Sequence, residues 1–207
     1  TTSIGGKTYA IVGAKDDNGV QIIDISNPAV PTAIAEFDQG DLDSQGNTFD
    51  LLTKIRYIST VEINNKHYVL TASKTDDLEN GISFVDISDP SNPLSVLSIK
   101  DGDLDSQGNP FDEILGPYFI EPYFKNGHWY ALVASRSDDG VQIIELHSAP
   151  SVTSATYTMS SGVLAVTGSN FVTNSGSTND ISISNLTITG EGGKTYTLTS
   201  DDVELTS

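Results

Sequence analysis

The chain has 207 residues, with 28 acidic and 10 basic side chains, and its formal net charge is −18. This acid excess argues against nucleic acid or an anionic membrane as a partner, because both need clustered Lys and Arg. The absence of cysteine excludes a disulfide scaffold, a thiolate zinc site and cysteine catalysis. No apolar run approaches the roughly 18 residues of a spanning helix, so membrane insertion is not expected.

Internal repetition is the main feature of the first 150 residues. The segment DNGVQIIDISNP at 17–28 returns as ENGISFVDISDP at 79–90 and, in a degraded form, as DDGVQIIELHS at 138–148. The segment GDLDSQGN occurs at 40–47 and again at 102–109. Repetition at a fixed period predicts a tandem array of equivalent structural units.

Each unit of about 60 residues predicts four antiparallel strands. Aromatic and β-branched residues favour strands, and Asn-Gly or Asp-Gly pairs favour hairpin turns. No stretch has sustained helical periodicity. The first strand of a unit is predicted at 57–63 and at 118–124, and the second strand ends at 73 or 135. The third strand is a segment such as 20–25, and the fourth lies at 32–37 or 95–99.

The repeated pattern resembles the LVIVD-type repeat of microbial cell-surface propeller proteins, over roughly residues 1–150. The resemblance implies an all-β fold in which 1–149 form a partial β-propeller of two to three four-stranded blades. A propeller closes with about four blades or more. We therefore expect either a segment of a longer protein or sheet edges that pair with another chain, with a homo-oligomer as one such pairing.

From residue 151 the composition changes to Thr, Ser, Gly and Val and the repeat stops. Alternating segments predict strands near 152–158, 163–167, 181–188 and 196–199. GVLAVTGSNF at 162–171 and LTITGEGGKTYTL at 186–198 resemble an IPT/TIG-like domain. The resemblance implies a partial Ig-like β-sandwich over 150–207, which we expect to be truncated because seven strands take about 100 residues. In an alternative arrangement, 152–158 is the fourth strand of the third blade.

Acidic loops are the candidate metal sites. Alternating carboxylate and amide oxygens are ligands that calcium prefers, and the spacing in the second loop resembles EF-hand and integrin-type propeller loops. The alternatives are a solvated turn, or carboxylates that accept backbone N–H bonds with no ion. The candidate ligands are Asp101, Asp103, Asp105, Asn109 and Asp112 in the second loop, and Asp41, Asp43, Asn47 and Asp50 in the first.

No catalytic constellation is evident. His67 and His128 align beside equivalent hairpin turns and are interpreted as structural, and no nucleophile elbow or zinc motif is present. The aromatic residues around the third-repeat hairpin are interpreted as core, with carbohydrate stacking as the alternative. They are Tyr118, Tyr123, Phe124, Trp129 and Tyr130.

Together these features predict a non-catalytic structural or adhesive module of a large extracellular or cell-surface protein, with Ca²⁺ in the loops between blades. Its partners would be other domains or subunits of that protein. The alternatives are a fragment of a secreted metal-dependent propeller hydrolase, which needs a histidine or nucleophile among the aspartates, and a carbohydrate-binding module, which needs exposed coplanar aromatics.

Overall fold

The computed structural model describes residues 1–74, 80–105, 107–146, 151–158, 163–169, 187–189 and 195–197. These residues form strands and turns, and no helix occurs among them. The chain divides into two compact units, Thr1–His147 and Ser148–Ser207. The predicted domain boundary at 149/150 falls outside the described residues.

The first unit contains three antiparallel sheets, each a meander of consecutive strands. Sheet 1 and sheet 2 have four strands, as expected for the repeat, whereas sheet 3 has three within the described residues instead of the expected four. Sheet 1 comprises β1 (Thr2–Ile4), β2 (Lys7–Ala14), β3 (Gly19–Asp24) and β4 (Thr32–Asp38); sheet 2 comprises β5 (Ile55–Ile63), β6 (Lys66–Ser73), β7 (Gly81–Asp86) and β8 (Leu94–Lys100); sheet 3 comprises β9 (Pro117–Lys125), β10 (His128–Ser135) and β11 (Gly140–Leu146).

Two-residue turns join the first two strands of sheets 2 and 3, as predicted. Asn64 and Asn65 have φ of 51° and 62°, and Asn126 and Gly127 have φ of 54° and 88°. Positive φ at both central residues matches the right-handed twist of the paired strands, and Asn and Gly adopt it at low cost. These turns therefore set the register of each hairpin.

The turn between the second and third strands differs from the expected two-residue Asn-Gly turn. In sheet 1 the loop has four residues, and Asn18, with φ of 60°, donates its N–H to the Ala14 carbonyl at 3.0 Å. Gly19 is already the first residue of β3 and pairs with Ala14. A Cβ there would overlap the Asp38 carboxylate, which would have to move away, and would lie 3.0 Å from the Phe37 carbonyl oxygen. Close approach, and not a positive φ, explains the glycine.

The core consists of two clusters, each shared by neighbouring sheets. In the first, Val20 and Ile22 of sheet 1 pack with Val69 and Val85 of sheet 2. In the second, residues of sheet 2 that include Leu70 pack with residues of sheet 3. Sheet 2 is therefore covered on both faces. We call the face that sheet 2 turns toward sheet 3 its front face and the face it turns toward sheet 1 its back face, and we use the same names for the equivalent faces of sheets 1 and 3.

The second unit contains two hairpins within the described residues. β12 (Ser151–Thr158) pairs with β13 (Val163–Ser169), and β14 (Thr187–Thr189) pairs with β15 (Thr195–Thr197). β12 belongs to this two-stranded sheet, which differs from the alternative that made it the fourth strand of sheet 3. The predicted strand segments 181–186 and 198–199 lie outside the described residues, and the Ig-like sandwich stays a prediction.

Candidate functional site: two acidic loops and a basic cluster

Loop 1 (residues 39–54) connects sheet 1 to sheet 2, and its Asp43 is the centre of a hydrogen-bond network. One carboxylate oxygen accepts the backbone N–H groups of Gln45 and Asn47, both at 2.8 Å. The other accepts the Asn47 side-chain amide at 3.1 Å and the backbone N–H of Ser95, in β8 of sheet 2, at 3.0 Å. Asp43 is only 7% exposed. Burial raises its pKa, but the hydrogen bonds from Asn47, Gln45 and Ser95 outweigh burial and hold the pKa below its ordinary value.

Loop 2 (residues 101–116) repeats this network around Asp105. The carboxylate accepts the backbone N–H groups of Gln107 and Asn109 at 2.8 Å and the Asn109 side-chain amide at 3.1 Å. The hydrogen bonds from Asn109 lower the pKa of Asp105. Sheet 3 has no fourth strand among the described residues, so Asp105 has no counterpart there of the hydrogen bond that Ser95 donates to Asp43.

The other candidate ligands in these loops also act on the backbone. Asp41 accepts the N–H of Asp38 at 3.1 Å, and Asp103 accepts the N–H of Lys100 at 2.8 Å. Asp101 accepts the N–H of Ile114 at 3.3 Å. Each carboxylate therefore stabilises the turn in which it lies.

Within the described residues, the candidate ligands do not come together into a cage around one point. Among the described residues no group of three or more His, Asp or Glu side chains is placed to hold a metal ion. The main-chain carbonyl of Asp50 accepts the Ser83 hydroxyl, which attaches loop 1 to sheet 2. No hydrogen bond of the Asp112 carboxylate contributes to the loop networks described above. The arrangement is that of the alternative in which carboxylates accept backbone N–H bonds, and calcium stays a prediction.

A basic and an acidic side chain form a pair at the same place in all three sheets. Lys7 Nζ lies 2.9 Å from the Asp24 carboxylate, and Lys66 Nζ lies 2.8 Å from that of Asp86. In sheet 3, His128 Nδ1 lies 2.6 Å from the Glu145 carboxylate.

The alignment of His67 with His128 is wrong by one position. Lys66 and His128 are each the first residue of the second strand in their sheets. Aligning the two histidines gives the wrong register. Aligning the strand ends, Ser73 and Ser135, gives the correct one. His128 therefore has the structural place of a lysine.

Hydrogen bonds lower the pKa of two of the paired aspartates. Ser26 lowers the pKa of Asp24 to about 2, and Lys7 contributes to the same shift. For Asp86, burial raises the pKa, but hydrogen bonds from Lys66 and Ser88 outweigh it. Both carboxylates are therefore stabilised in the charged form.

A basic cluster that the sequence analysis did not predict lies beside β9. Around the exposed ring of Tyr118 lie the guanidinium carbons of Arg56 and Arg136, 5.4 and 5.8 Å from the ring centroid, and Lys74 Nζ at 5.4 Å. We call these four residues the Tyr118 cluster. A hydrogen bond from Arg136 lowers the pKa of the Tyr118 phenol, helped by the charges of Arg56 and Lys74. The available signal was the basic residue that precedes each acidic pair after the second strand, namely Lys15, Lys74 and Arg136.

The interpretation of the third-repeat aromatics as core is wrong for three of them. Tyr118, Tyr123 and Phe124 are exposed, and of the residues of β9 only Pro117 and Ile120 are buried. Phe124 and Trp129 lie 5.1 Å apart with their planes tilted by 52°. This pair is not the coplanar platform that stacking on a sugar needs.

The repeat is confirmed by comparison with known families. The LVIVD repeat matches residues 5–39 and 77–101. The chain carries two LVIVD stretches. The first covers β2, β3 and β4, and the second ends with β7 and β8, so each LVIVD stretch includes the third and fourth strands of a sheet. No curated protein matches this chain.

No helix among the described residues has the length and apolar character needed to cross a membrane. The comparisons and the sheets thus agree on a repeated, all-β architecture. The four-stranded antiparallel sheets are consistent with partial propeller blades.

Proposed function

We propose that this chain is a non-catalytic structural or adhesive module of a large extracellular or cell-surface protein. In this proposal, sheets 1 to 3 are blades of a partial β-propeller, and the second unit is part of an IPT/TIG-like, Ig-like sandwich. Its acidic loops hold successive sheets together, and its pairs of basic and acidic side chains connect neighbouring strands within each sheet. The resemblance to LVIVD proteins of microbial surfaces motivates the location.

The use of the acidic side chains supports a structural role. Asp43 joins loop 1 to β8 of the next sheet through Ser95, and the Ser95 hydroxyl donates back to the Thr48 carbonyl at 2.8 Å. In sheet 3, the Ser135 hydroxyl donates to the Glu113 carbonyl at 2.8 Å. These bonds connect each loop to the sheet that follows it, which is the work expected of a scaffold.

The front face of sheet 3 is the strongest support for a role in assembly, because it is apolar and exposed. Val141 and Ile143 are each 60% exposed, whereas the equivalent Val20 and Ile22 of sheet 1 are 2% and 0% exposed under sheet 2. On the back face of sheet 1, Val12 is 45% exposed. A second copy that places its sheet 1 against sheet 3 would continue the two observed sheet-to-sheet contacts.

Assembly of this kind is heterologous, because two different faces meet. The contact would lack a fourth strand and an intervening loop on the sheet 3 side, so we expect weak, concentration-dependent association, on the order of micromolar. Sedimentation velocity over a dilution series measures it. We expect Val12→Glu and Ile143→Glu each to give monomers, since each buries a charge in the contact.

Mixing the two variants is the decisive experiment. One variant keeps an intact sheet 3 face and the other an intact sheet 1 face, so the mixture should recover a dimer that neither variant forms alone. Glu substituted at Val96, an exposed residue of β8, is the matched control and should associate like wild type. A monomeric wild type at every concentration, or a mixture that stays monomeric, would contradict the proposed assembly.

A carbohydrate-binding role is the second candidate, and it depends on the exposed ring of Phe124 alone. Tyr123 is adjacent in β9, so its side chain lies on the opposite face of the strand, and the Phe124 and Trp129 rings are not coplanar. Exposed aromatic rings can bind the apolar faces of sugars. Binding of the protein to an immobilised glycan panel, compared with a Phe124→Ala variant, tests it. Equal binding by both proteins would count against Phe124.

A further inference from the structure

The Tyr118 cluster concentrates positive charge in a strongly acidic protein. Three of the ten basic side chains of the chain surround a single tyrosine ring, whereas the net charge is −18. Arg56 and Tyr118 occupy equivalent positions of sheets 2 and 3, 62 residues apart, and so do Lys74 and Arg136. The cluster therefore forms where corresponding positions of neighbouring sheets meet.

These cations lack a neutralising partner within the described part of the chain. The ion pairs recorded there involve Lys7, Lys66, His67 and His128, and none involves Arg56, Lys74 or Arg136. Arg56 Nε is buried and has no hydrogen-bond acceptor. Gathered like charges disfavour one another, and a buried donor without an acceptor indicates a missing ion or water.

Gly116 lets the side chains of Lys74 and Ser137 approach the backbone closely, and hydrogen bonds fix the groups around it. Gly116 has φ of 68°, and a Cβ on it would lie 3.1 Å from Lys74 Nζ. Lys74 Nζ donates to the Ser137 hydroxyl at 3.0 Å, and the N–H of Arg136 donates to the Gly116 carbonyl at 3.1 Å. Arg136 and the Tyr118 ring are exposed, so a ligand can reach them from solvent.

We propose that the Tyr118 cluster is a binding site for an oxyanion, that is, a carboxylate, sulfate or phosphate group. A guanidinium group offers parallel N–H donors that match two oxygens of such a group, and lysine adds a mobile charge. The inference rests on this cluster alone and does not depend on the proposed function.

The test is an NMR titration of the intact, ¹⁵N-labelled chain with sodium galacturonate, sulfate or phosphate in separate arms. Sodium chloride keeps the ionic strength constant. We expect saturable shifts at and around the Tyr118 cluster, with a dissociation constant on the order of millimolar. The arm with the tightest binding identifies the source of the oxyanion.

Charge-removing variants locate the site. Arg56→Gln and Arg136→Gln should each weaken binding about tenfold, the effect of losing one charged hydrogen bond. Lys15→Gln is the matched control: Lys15 is the exposed counterpart of Lys74 in sheet 1 and should bind like wild type. Should Arg136→Gln fail to fold, Arg136→Lys keeps the charge but loses the planar donors, and a severalfold weaker affinity is expected.

Two results would overturn the inference. Shifts that grow without saturation, or that weaken equally in Lys15→Gln, would mean general charge screening and no site. Saturable binding in none of the three arms would mean that the cluster serves only cation–π packing around Tyr118.

Discussion

Asp43 and Asp105 form a natural matched pair for testing how the loops stabilise the sheets. Both carboxylates accept two backbone N–H groups and one Asn side chain of their own loop. Only Asp43 also accepts the N–H of Ser95 in the adjacent sheet. The difference between Ala variants at the two positions therefore reports the Ser95 contact together with the burial of Asp43 that accompanies it.

We expect Asp43→Ala to lower the free energy of unfolding by about 3 kcal/mol, since one hydrogen bond to a charged group contributes about 1.5–3 kcal/mol. In the variant, water replaces some of the hydrogen bonds that the Asp43 carboxylate accepts, so the loss is smaller than the sum over all of them. For a unit of this size the loss corresponds to a fall in Tm of roughly 6–12 °C. Asp105→Ala should cost less, because its carboxylate is not buried against a neighbouring sheet.

The assay is urea unfolding followed by circular dichroism and by the fluorescence of Trp129, the single tryptophan. Ser95→Pro would remove the same N–H but would also break strand pairing, so Asp43→Asn is the better second variant. Asn keeps one acceptor oxygen and should recover part of the loss. Equal destabilisation by Asp43→Ala and Asp105→Ala would refute the reasoning, because the Ser95 contact would then contribute nothing.

Three further predictions concern glycine, pH and calcium. Gly81→Ala should destabilise the protein by about 1–3 kcal/mol through overpacking, because its Cβ would overlap the Ile99 carbonyl; Gly19→Ala should cost less, since the flexible Asp38 carboxylate can move away. Urea midpoints compare the two, and equal costs would contradict the account. The lowered pKa of Asp86 means that its stabilisation is present above about pH 4 and is lost as the pH falls, so Asp86→Asn should flatten acid unfolding between pH 5 and pH 2. If calcium occupies the acidic loops, EDTA should lower Tm and added calcium should restore it; an unchanged Tm would exclude calcium from the loops.

The repeat made much of the first unit predictable. Strand ends fell within about two residues of the expected positions because turn residues are local signals: Asn64-Asn65 and Asn126-Gly127 adopt positive φ at low cost, and both pairs do so here. The roles of Gly19 and His128 were harder to predict from the sequence. The first depends on the Asp38 side chain of another strand, and the second on a one-residue register that only strand pairing reveals.

The candidate sites show the same division between local and distant information. The spacing of Asp101, Asp103 and Asp105 is compatible both with calcium and with backbone capping, since each uses the same oxygen atoms. The Tyr118 cluster joins residues from four segments of two sheets, and no local pattern brings Arg56 next to Arg136.

The sequence by itself determined the period, the strands and the turns, because these depend on residues close together in the chain. The tertiary structure alone decided what each polar side chain does. Asp43 became a link between sheets, and Val141 an exposed residue of a face that is buried in sheets 1 and 2. Burial and charge neutralisation depend on which strands lie side by side, and that neighbourhood is set by the packing of whole sheets.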